Sequence, residues 1–195
     1  IKSHSAVSYT ELHGFLTELR KRKGVGARAL EFAILTGSRT RSLLLAKWED
    51  IDFDNAIWNF PEDNMKSGNF FRIPLSEPAM SIIYSQKKNS RGAYIFGHEQ
   101  TGKKSSNNCM LYTIYRMGYR GKVTTHGMRS TMRDWAGETT KYSERIVEVC
   151  LDHTVNTANQ AAYQRGDYLV KRREIMDGWG RFCYPIKNKV VSIRS

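Results

Sequence analysis

The sequence predicts an α+β domain that is mainly α-helical, with one small three-stranded antiparallel β-sheet. Apolar residues recur at helical spacing through most of the chain, as Leu12, Leu16 and Leu19 do in the first segment. This period is interrupted between Trp48 and Pro74, where short aromatic and β-branched stretches alternate with turn residues. At 195 residues the chain is long enough to bury the core of one sizeable domain.

The helical segments are bounded by residues that start and stop helices. Thr10 is the expected N-cap of the first helix, and Gly24 and Gly37 end the first two helices. Helices are predicted at Tyr9–Lys23, Ala27–Leu35, Thr40–Ala46, from Ser76 onward, and at Asn107–Gly118, Thr125–Glu138, Ser143–Cys150, Thr157–Tyr163 and Tyr168–Phe182. Four tryptophans lie in apolar periodic segments and are expected in or beside the core: Trp48, Trp58, Trp135 and Trp179.

The sheet is predicted from three strands, Trp48–Phe53, Ala56–Phe60 and Phe70–Pro74. The turn sequences Asp54-Asn55 and Ser67-Gly68-Asn69 separate them. Short turns between consecutive strands favour antiparallel pairing, so we expect a meander.

The charge balance favours a polyanionic partner, most simply a nucleic acid. Lys and Arg number 31 against 19 Asp and Glu, which gives a net charge of +12. A basic surface that binds nothing is the alternative. An anionic membrane is disfavoured because the sequence contains no basic amphipathic anchor and no apolar run long enough to span a bilayer.

The cysteines and the first residues indicate the cellular compartment in which the protein works. Cys109, Cys150 and Cys183 are widely spaced and odd in number, which argues against a disulfide framework and suits a reducing cytoplasm. The opening stretch from Ile1 to Thr10 is polar and does not have the pattern of a signal peptide. Because the chain opens on Ile, we expect it to be a fragment that lacks upstream domains.

Two motifs are misleading. The stretch from Gly97 to Lys104 is close to a phosphate-binding P-loop, but Lys104 stands where a hydroxyl must hold magnesium, so a solvated basic loop is expected. Asp50, Asp52 and Asp54 resemble the start of a calcium loop, which lacks its glycine and its final glutamate here. No His or Cys pair has metal-ligand spacing, so we expect no cofactor and no metal.

A set of side chains suited to phosphoryl transfer lies in four separate segments. Each segment alone has an ordinary explanation, such as a helix cap, a solvated turn or a core tyrosine. Their joint occurrence in one order is harder to obtain by chance. They are Arg39 after a glycine-bounded helix end, Lys66 in the predicted turn between the second and third strands, His126 and Arg129 opening a helix, and His153 followed ten positions later by Tyr163.

This order resembles the catalytic domain of tyrosine recombinases, which carries Arg, Lys, His-x-x-Arg, His or Trp, and Tyr. The resemblance runs roughly from Tyr9 to Phe182 and is closest to integrases of prophages and genomic islands. It includes the stretches Ala46–Asp52, Arg72–Leu75 and Ala162–Leu169. It implies the tyrosine recombinase catalytic-domain fold over residues 1–186, a basic C-terminal tail over 187–195, and DNA-binding domains upstream.

The resemblance implies a site-specific recombinase that cuts and rejoins DNA through a 3′-phosphotyrosyl intermediate, for integration or excision of a prophage or genomic island. Guanidinium groups suit the nonbridging oxygens of the phosphorane, so Arg39 and Arg129 are the expected clamp, with His153 adding a hydrogen bond. Double-stranded DNA with attachment sites is the implied partner. The family assembles as tetramers on DNA, often by exchange of the C-terminal segment, here Lys187 to Ser195. A monomer is the alternative for the isolated domain.

The resemblance implies that the remaining residues supply the nucleophile and transfer protons. Tyr163 is the implied nucleophile and, since an unperturbed tyrosine has a pKa of about 10, it needs help in losing its proton. His126 is the expected base, and Lys66 the expected donor to the leaving 5′-hydroxyl. Tyr168 is a rival nucleophile, but its context favours starting the next helix and packing. No metal and no ATP are required by this chemistry.

One position departs from the family's pattern. Such integrases carry an acidic residue three positions after the first arginine, where this chain has Ser42. The departure bears on how rigidly Arg39 is held. Ser42 leaves open a DNA-binding relic that has lost turnover. An enzyme of the type IB topoisomerase class also stays open, because that class shares the fold and the chemistry that the resemblance implies.

The expected contacts to the DNA backbone are Lys103, Lys104, Arg116, Arg120 and Lys122.

Overall fold

The computed structural model describes residues 5–61, 71–152 and 166–185. The predicted fold class is confirmed, since helices dominate and the described strands form one antiparallel sheet. The elements before and within the sheet are α1 (Leu12–Arg20), α2 (Val25–Thr36), α3 (Thr40–Leu45), β1 (Ile51–Asp52), β2 (Ile57–Phe60) and β3 (Phe71–Pro74). Those after it are α4 (Glu77–Asn89), α5 (Cys109–Arg116), α6 (Gly127–Thr139), α7 (Glu144–Cys150) and α8 (Leu169–Cys183).

The sheet has the order β1-β2-β3, and both pairs are antiparallel, as the turn sequences predict. The first strand is shorter than predicted, because Trp48–Asp50 is a 3₁₀ turn. The Asp50 carboxylate accepts the Lys47 backbone N–H at 2.7 Å, and this local bond closes the turn where side-chain type alone favours a strand. In the second pair Phe60 lies opposite Phe71, so the chain between these two residues joins the paired strands.

The first helix also differs from its prediction at both ends. It is preceded by a 3₁₀ turn, Tyr9–Glu11, and the side chain of Ser8, not Thr10, caps that turn. The helix ends at Arg20, short of Gly24. Gly24 instead precedes α2.

The segment from Ala93 to Lys104 is more ordered than a polar loop. The Ile95 N–H donates to the Ala46 carbonyl at 3.0 Å, and the chain around Tyr94 thus pairs with the chain beside the sheet. Beyond it, the His98 N–H donates to the Lys103 carbonyl at 2.7 Å in a tight turn. This hairpin is not followed directly by a helix, so it has neither the shape nor the setting of a P-loop.

Helix α2 lies at the centre of the core. Ten of its 12 residues are buried, and it packs against α1, α4, α5 and α8. The tryptophan prediction is confirmed: Trp58, Trp135 and Trp179 are buried, and Trp48 is partly buried with its indole N–H donating to Ser90 at 2.9 Å. The packing fixes the C-terminal ends of α2 and α7 beside the start of α6. Among the described helices, none combines the length and apolar character that crossing a bilayer requires.

Candidate active site

The structure brings Arg39 and Arg129 together across three helices. Arg39 immediately precedes α3, and Arg129 lies in the first turn of α6. The Arg129 Nη1 donates to the carbonyl of Gly37 at 2.6 Å, so the α6 arginine reaches the C-terminal end of α2. Burial, and then the positive charge of Arg39, lower the pKa of Arg129 to about 10. Arg129 therefore remains charged at neutral pH and is close enough to Arg39 to be repelled by it.

Gly37 makes this approach possible. It follows the last residue of α2 in the left-handed conformation, with φ of 60°. The prediction that Gly37 ends this helix is confirmed. A Cβ at this position would lie 2.7 Å from the Leu151 side chain and 3.3 Å from that of Met132. Glycine is thus needed both for the backbone turn and for the close contact between the ends of α2 and α7.

The C-terminal end of α7 holds both arginines. The Nη2 of Arg129 donates to the Leu151 carbonyl, and the Nη2 of Arg39 donates to the neighbouring Asp152 carbonyl at 2.6 Å. The Nη1 of Arg39 also pairs with the Asp152 carboxylate. Backbone carbonyls at a helix C-terminus carry partial negative charge and suit cations. The two guanidinium groups are consequently fixed to consecutive residues of one helix end.

The two arginines differ in exposure. The side chain of Arg39 is 45% exposed, while Arg129 is only 3% exposed. Partial burial lowers the pKa of Arg39 through loss of solvation. Arg129 therefore forms the floor of the site, and Arg39 is the arginine that solvent and a ligand reach.

His126 lies at the same end of α6. It precedes the first residue of the helix and is exposed, and its carbonyl accepts the Arg129 backbone N–H at 3.1 Å. The prediction that His126 and Arg129 open a helix is confirmed. A spacing of three residues sets the two side chains on one side of the helix start.

Three predicted site residues lie outside the described residues: Lys66, His153 and Tyr163. Their neighbours in the chain are described. Lys66 belongs to the segment that joins β2 to β3, and His153 directly follows Asp152. The structure thus brings together Arg39 and Arg129 and places His126 at the start of the same helix as Arg129. The roles of all six residues stay predictions.

Tyr168 has the surroundings predicted for it. It directly precedes α8 with φ of 55°, is partly buried and packs against the core. The guanidinium of Arg145 lies 5.9 Å from the centre of its ring. Tyr168 therefore packs as part of the fold, as the sequence predicts.

A second carboxylate that the sequence analysis does not single out, Asp167, ties the start of α8 to β3. Its two oxygens accept Arg72 Nε at 2.7 Å and Nη2 at 3.4 Å, and Arg172 Nη1 lies 3.8 Å from Oδ2. The hydrogen bond from Arg72 is the main cause of a lowered pKa for Asp167. Arg172 is buried and also donates to the Arg72 carbonyl at 2.5 Å. The chain is thus anchored four residues after Tyr163.

Asp152 is the other site residue that the sequence analysis does not single out. Its only sequence signal is its place between a helix end and His153, which many unrelated carboxylates share. Ser42, in contrast, lies in α3, which contains no acidic residue.

The predicted contacts to the DNA backbone are all exposed, and none of them forms an ion pair with a carboxylate of the described residues: Lys103, Lys104, Arg116, Arg120 and Lys122. Their charges are therefore not neutralised by those residues. Arg20 and Lys21 differ, because they pair with Glu31 and Glu18 at 2.9 and 2.6 Å. Within ranges 5–61, 71–152 and 166–185, no group of three His, Cys, Asp or Glu is placed to hold a metal ion.

Comparison with known proteins gives a consistent result. The sequence profile of the phage integrase family matches residues 9–167. The prophage integrase IntZ of Escherichia coli (strain K12) is 29% identical over 179 residues, which cover 90% of this chain and 44% of IntZ. The integrase of Enterobacteria phage P4 is 28% identical over 182 residues, which cover 85% of this chain and 42% of that protein. The chain thus spans less than half the length of these relatives.

The fold also matches a solved structure. A lambda integrase tetramer bound to a Holliday junction superposes with a TM-score of 0.62 at 20% sequence identity, over 86% of this chain and 49% of the lambda chain. At this identity the likeness establishes the fold.

Proposed function

The chain belongs to the phage integrase family, and from that premise we propose that it is a DNA strand-transferase that cuts and rejoins DNA at specific sites through Tyr163. The observation that carries the proposal is the pair of guanidinium groups, Arg39 and Arg129, held on consecutive residues at the end of α7, with His126 directly before the helix that carries Arg129. Arginine is the side chain best matched to two oxygens of one phosphate.

The reaction we propose is an exchange of one phosphodiester for another. The phenolic oxygen of Tyr163 attacks phosphorus and forms a P–O bond, while the bond to the 5′-oxygen breaks. His126 accepts the phenol proton, and Lys66 supplies a proton to the leaving 5′-oxygen. The products are a 3′-phosphotyrosyl enzyme and a free 5′-hydroxyl. Because the number of phosphoester bonds is unchanged, a 5′-hydroxyl of another strand reverses the attack without an added energy source.

The arginines stabilise the charge that develops during this exchange. The phosphorane places extra negative charge on its nonbridging oxygens, and fixed cations there are worth more in the transition state than in the ground state. Arg129 is held on two backbone carbonyls, those of Gly37 and Leu151. These carbonyls orient the Arg129 guanidinium, and Asp152 holds Arg39 through its carboxylate and its carbonyl. His153 completes the set in this proposal.

The partner we propose is double-stranded DNA carrying attachment sites, in the cytoplasm of a bacterial host. The net charge of +12 supports this partner. We also propose a homotetramer on DNA, because the lambda integrase of similar fold is a tetramer on a Holliday junction. Integration or excision of a prophage or genomic island is the matching biological role. In this proposal residues 1–186 form the catalytic domain, 187–195 a basic tail that partners exchange, and further DNA-binding domains stand upstream.

A trapping experiment tests the proposal. Full-length protein is incubated with attachment-site DNA nicked next to the scissile phosphate, so that the short 5′-hydroxyl fragment diffuses away and the covalent product accumulates. We expect a denaturant-resistant adduct from wild type and from Tyr168→Phe, and none from Tyr163→Phe, which should still bind DNA. An adduct that persists in Tyr163→Phe contradicts the nucleophile assignment.

The same experiment separates the alternatives. No adduct from wild type favours a DNA-binding relic. Relaxation of supercoiled DNA that lacks an attachment site, by a monomer, favours the type IB topoisomerase class.

A further inference from the structure

Arg39 is the exposed member of the arginine pair, and an exposed arginine needs a partner to hold one orientation. Its long side chain has many rotamers, and each contact that fixes it reduces the entropy lost when a ligand binds. Its own helix offers no carboxylate, since α3 reads Thr-Arg-Ser-Leu-Leu-Leu. Position 42, about one turn after Arg39, is a serine.

The carboxylate that Arg39 does contact belongs to Asp152, 113 positions along the chain. One terminal nitrogen of Arg39 pairs with the Asp152 carboxylate, and the other donates to the Asp152 carbonyl at 2.6 Å. A single residue thus binds the guanidinium through both its side chain and its backbone. This two-point contact fixes the plane of the guanidinium as well as its position.

The backbone at Asp152 is suited to this contact. Helix α7 ends at Cys150, and Asp152 has φ of 52°, in the left-handed region. Glycine is common at this position after a helix, and among other residues Asp and Asn tolerate it best. Leu151, just before it, is buried and its carbonyl is held by Arg129. Asp152 is therefore presented from a fixed helix end.

The contact leaves one edge of the guanidinium for a ligand. Both bonds to Asp152 use the terminal nitrogens, whereas Nε–H is not used by any contact among the described residues. The edge formed by Nε and the outer N–H of one terminal nitrogen presents two parallel donors, which match two phosphate oxygens.

We propose that Asp152 is the positioning residue of Arg39: it orients the guanidinium so that its side edge faces the scissile phosphate. Asp152 itself does not touch the reacting atoms. The inference rests on the proposed function, in which Arg39 binds that phosphate.

The test removes the carboxylate with Asp152→Asn and then restores a carboxylate at another position with Ser42→Glu. Asparagine keeps the left-handed backbone and the shape of the side chain but removes the charge, whereas alanine would strain this backbone. We expect Asp152→Asn to slow adduct formation on nicked DNA roughly tenfold to a hundredfold, as loss of an orienting contact does, with DNA affinity unchanged. Ser42→Glu in the Asp152→Asn background should recover most of the lost rate. Asp134→Asn, which removes an exposed carboxylate beside Arg133 on α6, is the matched control and should react as wild type does.

The outcomes are distinct. Wild-type speed or faster cleavage in Asp152→Asn overturns the proposal, the latter because it would mean that Asp152 competes with phosphate. A slow Asp152→Asn that Ser42→Glu does not improve also overturns it, since the loss would then be structural. Failure of wild type to form any adduct contradicts the proposed function instead. In that case NMR of the Arg39 side chain decides the pairing: hindered rotation of the guanidinium in wild type that persists in Asp152→Asn contradicts it.

Discussion

Two arginine clusters lie beside α2, and they differ in how deeply their carboxylates are buried. In the first, Arg20 and Arg28 bind the carboxylate of Glu31 at 2.9 and 2.5 Å, and the hydroxyl of Tyr184 donates to the same carboxylate. Glu31 is fully buried. Its negative charge is thus enclosed by its partners, and the Arg20 guanidinium stacks 3.6 Å from the centre of the Tyr184 ring.

In the second cluster, at the C-terminal end of α2, the arginines are held mainly by backbone carbonyls. Arg129 uses those of Gly37 and Leu151, and Arg39 uses that of Asp152 together with its partly exposed carboxylate. Carbonyls fix a guanidinium but do not neutralise it. The comparison suggests that burial of the carboxylate separates the two roles: Glu31 is fully buried among its partners, whereas Asp152 is partly exposed and its partner Arg39 still faces solvent.

The largest effect is expected at Glu31. Glu31→Ala leaves Arg20 and Arg28 partly buried without their carboxylate, and removing one partner of a buried ion pair costs about 3–5 kcal/mol. Urea unfolding should show that the free energy of unfolding falls by this amount. The fall should be smaller for Glu31→Gln, which keeps a hydrogen-bond acceptor. The cleavage rate per folded molecule should not change. A large loss of rate at unchanged stability would put this cluster in the active site and break the comparison.

The next effect is expected at Arg39. Arg39→Lys keeps the charge but loses the planar pair of donors, so we expect cleavage to slow by about 10²–10³-fold, the range for loss of one transition-state donor. Because the pair with Asp152 is partly exposed, stability should change by about 1 kcal/mol or less. Single-turnover kinetics on nicked DNA and urea unfolding measure the two quantities. Loss of stability without loss of rate would assign Arg39 the structural role of Arg20.

A smaller effect on stability is expected at Asp167, which pairs with an arginine as Glu31 does but is partly exposed as Asp152 is. Arg72 lowers the pKa of this carboxyl, so its contribution to stability is present above the unfolded pKa of about 3.9 and is lost as pH falls through the lower folded value. Because Asp167 is more than a third exposed, the contribution should be about 1 kcal/mol or less.

Urea unfolding of Asp167→Asn should show this loss at pH 7 and a flatter dependence of stability on pH below about 4 than wild type has. An identical pH dependence in the two proteins would mean that the contact with Arg72 contributes nothing to folding. The exposed Asp54→Asn is a suitable control.

The sequence was sufficient for the described helices, apart from the ends of the first, because helical period is a local signal. The resemblance in motif order was sufficient for the meeting of Arg39 and Arg129. The sequence was not sufficient for Asp152 or Asp167. These carboxylates meet Arg39 and Arg72 across 113 and 95 positions. Such pairs depend on how helix ends pack, and a lone aspartate in a sequence reads as a solvated charge.

The short first strand shows that a prediction from sequence can also fail because of a contact between neighbouring residues. There the bond from the Lys47 N–H to Asp50 outweighs the strand preference of Trp48. A propensity describes an average environment, whereas this turn is decided by one side chain that satisfies one backbone group.

The most direct experiment asks whether Arg39 acts on the charge of the scissile phosphate. A methylphosphonate at that position replaces one nonbridging oxygen by a methyl group and removes the negative charge. We expect Arg39→Ala to fail to form the Tyr163 adduct on ordinary nicked DNA and to form it readily on the methylphosphonate substrate. If Arg39→Ala stays equally inactive on both substrates while wild type cleaves them, Arg39 does not neutralise the phosphate and its proposed role is wrong.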